Sequence, residues 1–321
     1  MSIKVSASRI SDVQDCVIGD ACSGAEPGHF QQSTYRSIFC PALFAGQVVI
    51  VTGGGSGIGR CTAHELASLG AALALIGRRP DKLASVAREI ADDGGTATTY
   101  PCDIRDEEQV KATVSRILAV HGRLDGLVNN AGGQFPSPLA SISQKGWDAV
   151  VRNNLTGGFL MARECFVQCM RENGGSIVNI VADMWNGMPG LGHSGAARAG
   201  MVNFTETAAV EWAPSGVRIN AVAPGWIASS GMDTYPESRK ALIRNFPRLI
   251  PMQRMGTEAE VSAAIVFLLS PAAAFISGTT LRVDGAAPNA RRQAELPEHS
   301  SSPGWNGFHR YQIPEVLRGA R

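Results

Sequence analysis

The chain has 321 residues, 44% hydrophobic and 18% charged: enough apolar content for a large core, and too little charge for a disordered chain. Lys plus Arg number 29 against 28 Asp plus Glu, so no net field draws the protein toward nucleic acid or an anionic membrane. No apolar run of about 18 residues marks a membrane span.

The N-terminus carries Asp12, Asp15, Asp20 and Glu26 and no continuous apolar stretch, which argues against a secretory or mitochondrial leader. The last residues, Gly319-Ala320-Arg321, are not the peroxisomal tripeptide, so a cytoplasmic location is expected. The 7 cysteines are scattered without a Cys-x-x-Cys pair and read as buried, reduced thiols. No sequence cluster of Cys or His has metal-ligand spacing, so no metal site is expected.

Residues 1–43 are rich in Ser, Gln, Gly and Cys and show no sustained period; they read as an extension, either unstructured or packed on a neighbour. From Gln47 the pattern changes. Val48–Val51 is a β-branched run that ends in a Gly-rich turn, and an apolar helical stripe follows through Leu66 and Leu69. Ala72–Ile76 is the second predicted strand, and Leu83, Val86, Ala87 and Ile90 mark the next helix face. Strands are expected at Thr98–Cys102, Leu124–Val128, Ser176–Ile180, Val217–Val222 and Leu281–Val283. Helices are expected at Asp106–His121, around Trp147 and Asn154, at Ala196–Trp212, and at Glu258–Leu269 behind a Thr257 cap. This alternation predicts an α/β fold, a doubly wound parallel sheet of about seven strands with helices on both faces. The stretch 226–256 reads as a substrate loop, and 287–321 as a tail whose Trp305, Phe308, Tyr311 and Val316 suit docking over the site.

The first strand runs into Thr52-Gly53-Gly54-Gly55-Ser56-Gly57-Ile58-Gly59. Glycines there let the backbone turn sharply and approach a pyrophosphate, and the following helix points its free N–H groups at the phosphates. The second strand ends in Gly77-Arg78-Arg79, where NAD sites usually present an acid to the ribose hydroxyls. Two guanidiniums favour a 2′-phosphate instead, hence NADP(H) over NAD(H).

Taken in order, Thr52–Gly59, Asp103, Asn129-Asn130-Ala131-Gly132, Asn154, Pro224-Gly225 and Val283-Asp284-Gly285 resemble the classical short-chain dehydrogenases/reductases. With Gly133-Gln134-Phe135, Lys145-Gly146-Trp147 and His193–Gly200, the chain is similar to the branch that holds peroxisomal trans-2-enoyl-CoA reductase and bacterial citronellol or citronellal dehydrogenase relatives. The resemblance implies one Rossmann-type domain over 44–286, a homodimer or homotetramer, and a small-molecule substrate. It implies a cofactor site of Gly53, Ser56, Gly57, Ile58, Gly59, Arg78, Arg79, Asp103, Ile104, Asn130, Ala131, Gly132, Arg198, Pro224, Gly225, Ile227 and Ser229.

The departures are equally informative. Classical members carry Tyr-x-x-x-Lys in the active-site helix; here Ser194 and Arg198 hold those places, and the usual serine falls on Ala182. Only Asn154 remains by type. An aliphatic hydroxyl is a poor acid–base group near neutral pH, which disfavours simple alcohol oxidation. Reduction of an α,β-unsaturated thioester needs instead donors for enolate charge on the thioester oxygen. Asn154, Ser194 and Arg198 are the candidates for positioning and charge; His193, Tyr235 and Asp183 are candidates for the proton. Arg239, Lys240, Arg244, Arg248 and Arg254 are candidates for a phosphate-bearing ligand. The readings in order are an enoyl-CoA reductase, a dehydrogenase of an apolar terpenoid alcohol or aldehyde, and a nucleotide-binding protein without catalysis.

Overall fold

The structure, a computed structural model, describes residues 34–234, 237–290, 296 and 298–318. Tyr235 lies outside the described residues, as do Cys16 and Cys22.

Strand β1 (Val48–Thr52) is buried at all five positions, as its unbroken β-branched run demands for a strand covered on both faces. Helix α1 (Gly57–Ser68) leaves the glycine turn, followed by β2 (Ala72–Gly77), α2 (Pro80–Asp92) and β3 (Thr96–Pro101). Helix α3 (Glu107–His121) starts at an Asp106 cap that accepts from the Gln109 N–H and stops at the left-handed Gly122. Strand β4 (Gly126–Asn129) leads to α4 (Gln144–Val151), α5 (Gly157–Cys165) and the short α6 (Arg171–Asn173). These three helices run on through two π-turns, Arg152–Thr156 and Phe166–Met170. Strand β5 (Gly175–Ile180), the long α7 (Gly192–Trp212) and β6 (Val217–Pro224) follow. The two-residue strand β7 (Ile227–Ala228), α8 (Glu237–Ile243) and β8 (Gly256–Thr257) lie along the connection from β6 to the next helix. Helix α9 (Glu258–Leu269) opens with a reciprocal Thr257–Glu260 capping box, and β9 (Thr280–Val283) ends the sheet.

The seven-stranded sheet has the order β3-β2-β1-β4-β5-β6-β9 and is parallel throughout; β7 and β8 pair separately. One core layer joins the sheet to α1, α2 and α9 through Leu66, Leu83, Val86, Ile90 and Val261. The other joins it to α3, α5 and α7 through Val114, Ile117, Met161 and Trp212. Phe166 and Trp212 stack there at 4.5 Å and 8°. Arg218 on β6 closes the end of α9: its guanidinium donates to the carbonyls of Leu268, Leu269 and Ser270, which helix geometry leaves without partners. Strand order reverses between β1 and β4, so a crevice opens beyond their carboxyl ends, where ligands bind in folds of this type. No described helix is long and apolar enough to cross a membrane.

The tail packs along two surfaces. Phe308 is buried against Tyr35, Cys61 and Ala259, and the Trp305 carbonyl accepts from the Thr257 hydroxyl. Val316 is buried against Met232, Ile243 and Phe246 of the connection between β6 and α9, with its N–H donating to Asp233 Oδ1 at 3.0 Å.

Candidate active site

The crevice is built by two turns locked together. Thr52, the last residue of β1, accepts at its hydroxyl from the N–H groups of Asn130 (3.0 Å) and Ala131 (2.9 Å). Asn130 Nδ2 donates back to the Thr52 carbonyl at 3.0 Å. Gly53 and Gly57 sit at φ +66 and +57, the left-handed region that a side chain disfavours. A Cβ on Gly59 would stand 2.4 Å from Asn130 Nδ2 and 2.5 Å from the Gly53 carbonyl oxygen, so close backbone approach fixes glycine there. The result is a cleft of about 260 Å³ lined by Gly53, Ser56, Arg78, Arg79, Asp103, Ile104, Asn130, Ala131 and Gly132. Lys82 and Asn153, which the sequence reading passed over, line it too.

The charges at the cleft are unevenly committed. Arg79 pairs with Asp81 at 2.9 Å in the open, and Arg105 clasps Asp103, which keeps that carboxyl below its usual range. Arg78 is exposed and has no ion pair among the described residues. An unspent guanidinium beside a glycine-rich turn fits a dinucleotide, and the absence of side chains at Gly53 and Gly59 lets the two turns close on each other beneath the cleft.

Deeper in, Asn154 lies inside the first π-turn, a geometry often found at functional positions. It grips the Gly133 backbone both ways: Nδ2 donates to the carbonyl at 2.7 Å, and Oδ1 accepts from the N–H at 3.1 Å. Arg198 on α7 is half-buried; its Nη1 donates to the Ile180 carbonyl, and its Nε is buried with no partner among the described residues. Burial lowers its pKa to about 10, so it remains a cation at neutral pH. A Cβ on Gly132 would meet Arg198 Nη2 at 2.6 Å and Asn154 Oδ1 at 2.7 Å. Three sequence candidates thus converge on one point.

Ser194 and His193 are both fully buried at the start of α7. The Ser194 hydroxyl donates to Gln134 Oε1 at 2.6 Å, a partner the sequence reading quoted but gave no role. The His193 Nδ1 accepts from the Ser194 N–H, its Nε2 has no partner, and its ring meets Phe135 edge-on at 4.6 Å. Asp183, just beyond β5, is half-buried, and its pKa is pushed up by burial first and by Asp284 second. Pro224 and Gly225 end β6, Ile227 is buried in β7, and Ser229 follows it.

The stretch 226–256, expected to be a substrate loop, borders a second cleft of about 330 Å³, lined by Trp226, Ile250, Met252, Arg254, Arg282 and Asp284. Its expected cationic patch is largely spent on structure. Lys240 pairs with Glu237, Arg254 with Glu260, and Arg244 donates to the Val316 carbonyl.

Residues 53–286 match the family described as Enoyl-(Acyl carrier protein) reductase. A probable 2,4-dienoyl-CoA reductase of Bacillus subtilis is 35% identical over 243 residues, covering 74% of this chain and 95% of that protein. Levodione reductase of Leifsonia aquatica is 38% identical over 256 residues, covering 75% and 94%. The solved structure of the citronellol catabolism dehydrogenase AtuB of Pseudomonas aeruginosa PAO1 is 62% identical, covers 79% of this chain and 99% of its own, and superposes with a TM-score of 0.71. Together with the parallel seven-stranded sheet and the locked glycine turn, these matches make the chain an oxidoreductase of the short-chain dehydrogenase/reductase family.

Proposed function

We propose that the protein is an NADPH-dependent reductase of a carbon–carbon double bond conjugated to a thioester, of the trans-2-enoyl-CoA type. The observation that carries this reading is the chemistry absent around Arg198. Of the 4 tyrosines in the chain, Tyr35 is buried beside Cys61, Tyr100 lies on β3 and Tyr311 on the tail, leaving only Tyr235 in the substrate loop. Ser194 has its proton on Gln134. Such a site is poorly equipped to exchange a proton with a carbonyl or alcohol oxygen.

It is better equipped to hold negative charge. Gly53, Ser56, Gly57, Ile58, Gly59, Asn130, Ala131 and Gly132 would hold the dinucleotide, with Arg78 on its 2′-phosphate. When bound, NADPH supplies the hydride. The Arg198 cation, desolvated and fixed on the Ile180 carbonyl, lends positive potential to the thioester oxygen where enolate charge develops. Asn154 holds the Gly133 backbone and thereby the loop bearing Gln134 and Phe135. Asp183, whose carboxyl is biased toward its protonated form, is the candidate proton source for the α-carbon. Trp226 and Met252, exposed apolar residues that line the second cleft, suit an acyl chain. Assembly into a dimer or tetramer belongs to the same reading, supported by the open edge of β9 and the fully exposed Phe275.

The 62% identity to a protein titled citronellol catabolism dehydrogenase favours a second reading, oxidation of an apolar alcohol. One comparison separates the two. The protein is assayed with NADPH and crotonyl-CoA, longer trans-2-enoyl-CoA and 2,4-dienoyl-CoA, and in parallel with citronellol and NADP⁺ or NAD⁺. Consumption of NADPH with a thioester alone supports the first reading. Reduced cofactor formed from citronellol, with no thioester turnover, refutes it.

A further inference from the structure

On the face of the molecule formed by α1, α2 and the tail, three residues far apart in sequence come together. His64 lies on α1, Asp93 just past the end of α2, and His309 on the tail. One potential ligand atom from each lies within 4.8 Å of the others. The side chains are 1%, 13% and 5% exposed. We propose that His64, Asp93 and His309 form a site for a borderline divalent transition-metal ion, Zn²⁺ in the first instance, that pins the C-terminal segment to the nucleotide-binding half.

The arrangement of protons and lone pairs argues for a metal. His64 faces a carboxylate on each side: Nε2 is 3.1 Å from Glu89 Oε2, and Nδ1 is 3.2 Å from Asp93 Oδ2. Carboxylates accept only, and a neutral imidazole has one N–H. With that proton on Nε2 toward Glu89, the Nδ1 lone pair is turned on Asp93. This is the carboxylate–histidine–metal relay, in which an outer acid fixes the tautomer of a ligating ring. His309 adds a second, independent sign. Its Nε2 lies 2.9 Å from the same Asp93 oxygen, and its Nδ1 has no partner among the described residues, although the side chain is almost wholly buried.

The two spacings on Asp93 also fit. A tetrahedral Zn²⁺ with bonds of about 2.0–2.1 Å holds its ligand atoms about 3.3 Å apart. The two contacts on Asp93 Oδ2 are within a few tenths of that separation. Arg310 clasps both Asp93 oxygens, Nη2 donating to Oδ1 at 2.7 Å and Nε to Oδ2 at 3.2 Å, so Oδ2 faces the histidines with one lone-pair direction shared with the guanidinium. Arg60 donates from Nε to Glu89 Oε2 at 2.7 Å, the same oxygen of the outer acid that faces His64 Nε2. His309 is delivered to its place by the backbone around it: the Arg36 N–H donates to Gly307, and the neighbouring Phe308 is buried under Arg60. Two nitrogens and one oxygen leave a fourth position for water, a set that suits Zn²⁺, Co²⁺ or Ni²⁺ better than Mg²⁺ or Ca²⁺.

The test uses the full chain without a histidine tag, stripped with a chelator and exchanged into chelator-free buffer. Zn²⁺ binding is measured by calorimetry and Co²⁺ binding by visible absorption. The expected result is one equivalent per chain with weak d–d bands of nitrogen and oxygen ligation. His309→Gln and His309→Ala, checked for folding by circular dichroism, should abolish the bands. Glu89→Gln should keep the site but bind about 10- to 100-fold more weakly. Hydrogen exchange across residues 305–318 should slow when Zn²⁺ is present in the wild type only. No saturable binding to the wild type would overturn the proposal, as would binding retained by both His309 variants. A thiolate charge-transfer band on Co²⁺ would place the ion on cysteine and overturn it equally.

Discussion

Replacing Arg78 by Asp tests the cofactor reading at its most exposed point. Arg79 is already on Asp81 and Arg105 is already on Asp103, whereas Arg78 has no ion pair among the described residues and lines the cleft. Its gain on meeting a phosphate is therefore not offset by breaking an existing bridge. Charge-assisted hydrogen bonds of this kind are worth about 1.5–3 kcal/mol, so R78D is expected to weaken NADPH by about 10- to 150-fold. NADH lacks the 2′-phosphate and meets a new carboxylate where NAD sites place theirs, so its affinity should hold or rise. The assay is nicotinamide fluorescence on titration with each reduced cofactor, repeated at two salt concentrations because an exposed guanidinium is screened. Arg79 can swing from its solvent-weakened bridge to substitute, so R78D/R79A should remove any NADPH preference left in the single variant. Equal loss of both cofactors in R78D would refute the 2′-phosphate assignment.

Gly132→Ala should lower turnover by about 100-fold, since its Cβ would displace Arg198 or Asn154 by roughly 1 Å; steady-state kinetics beside an unchanged circular dichroism spectrum would check it. Asp183→Asn should lower kcat with a thioester substrate by about 10²- to 10⁴-fold while leaving cofactor affinity unchanged, as expected for loss of a proton source. Phe308→Ala should cost about 3 kcal/mol by urea unfolding, because the ring is 3% exposed between α1 and α9. Burial raises the Glu258 pKa from 4.5 to about 7, so the folded chain holds a proton that the unfolded chain releases. Wild-type stability should therefore fall as pH rises from about 4.5 through 7, by about 3 kcal/mol in all, and Glu258→Gln should flatten that slope.

The sheet was legible because each strand is a short apolar run bounded by turn residues, and expected and observed strands differ by one or two residues at their ends. Thr98–Cys102 slid to Thr96–Pro101 because Cys102 leaves the ladder, while Gly77 pairs with Pro101. The start of α7 was set four residues late, since Gly192 and Gly195 mask its first turn to propensity; tertiary packing against Met188 and Leu139 accommodates them. Arg198 and Asn154 were identifiable by register on the motif. Gln134 as the partner of Ser194 was not, because that contact spans 60 positions and neither residue type announces it. The basic loop read as a phosphate patch because composition gives charge but not partners, and here Glu237, Glu260 and the Val316 carbonyl take it up. His64, Asp93 and His309 escaped for the same reason: metal-ligand spacing is sought along the chain, whereas these three meet only through the fold.

The seat of Val316 has a consequence for how the protein is made. A loop that buries Met232, Ile243 and Phe246 against Val316 cannot complete its packing until a segment about 70 residues further along the chain has left the ribosome. The Rossmann sheet, complete once β9 is made, can form earlier. The nascent enzyme therefore passes through a stage with a finished nucleotide crevice and an unsealed, apolar loop. Aggregation during synthesis should concentrate at that loop rather than in the sheet.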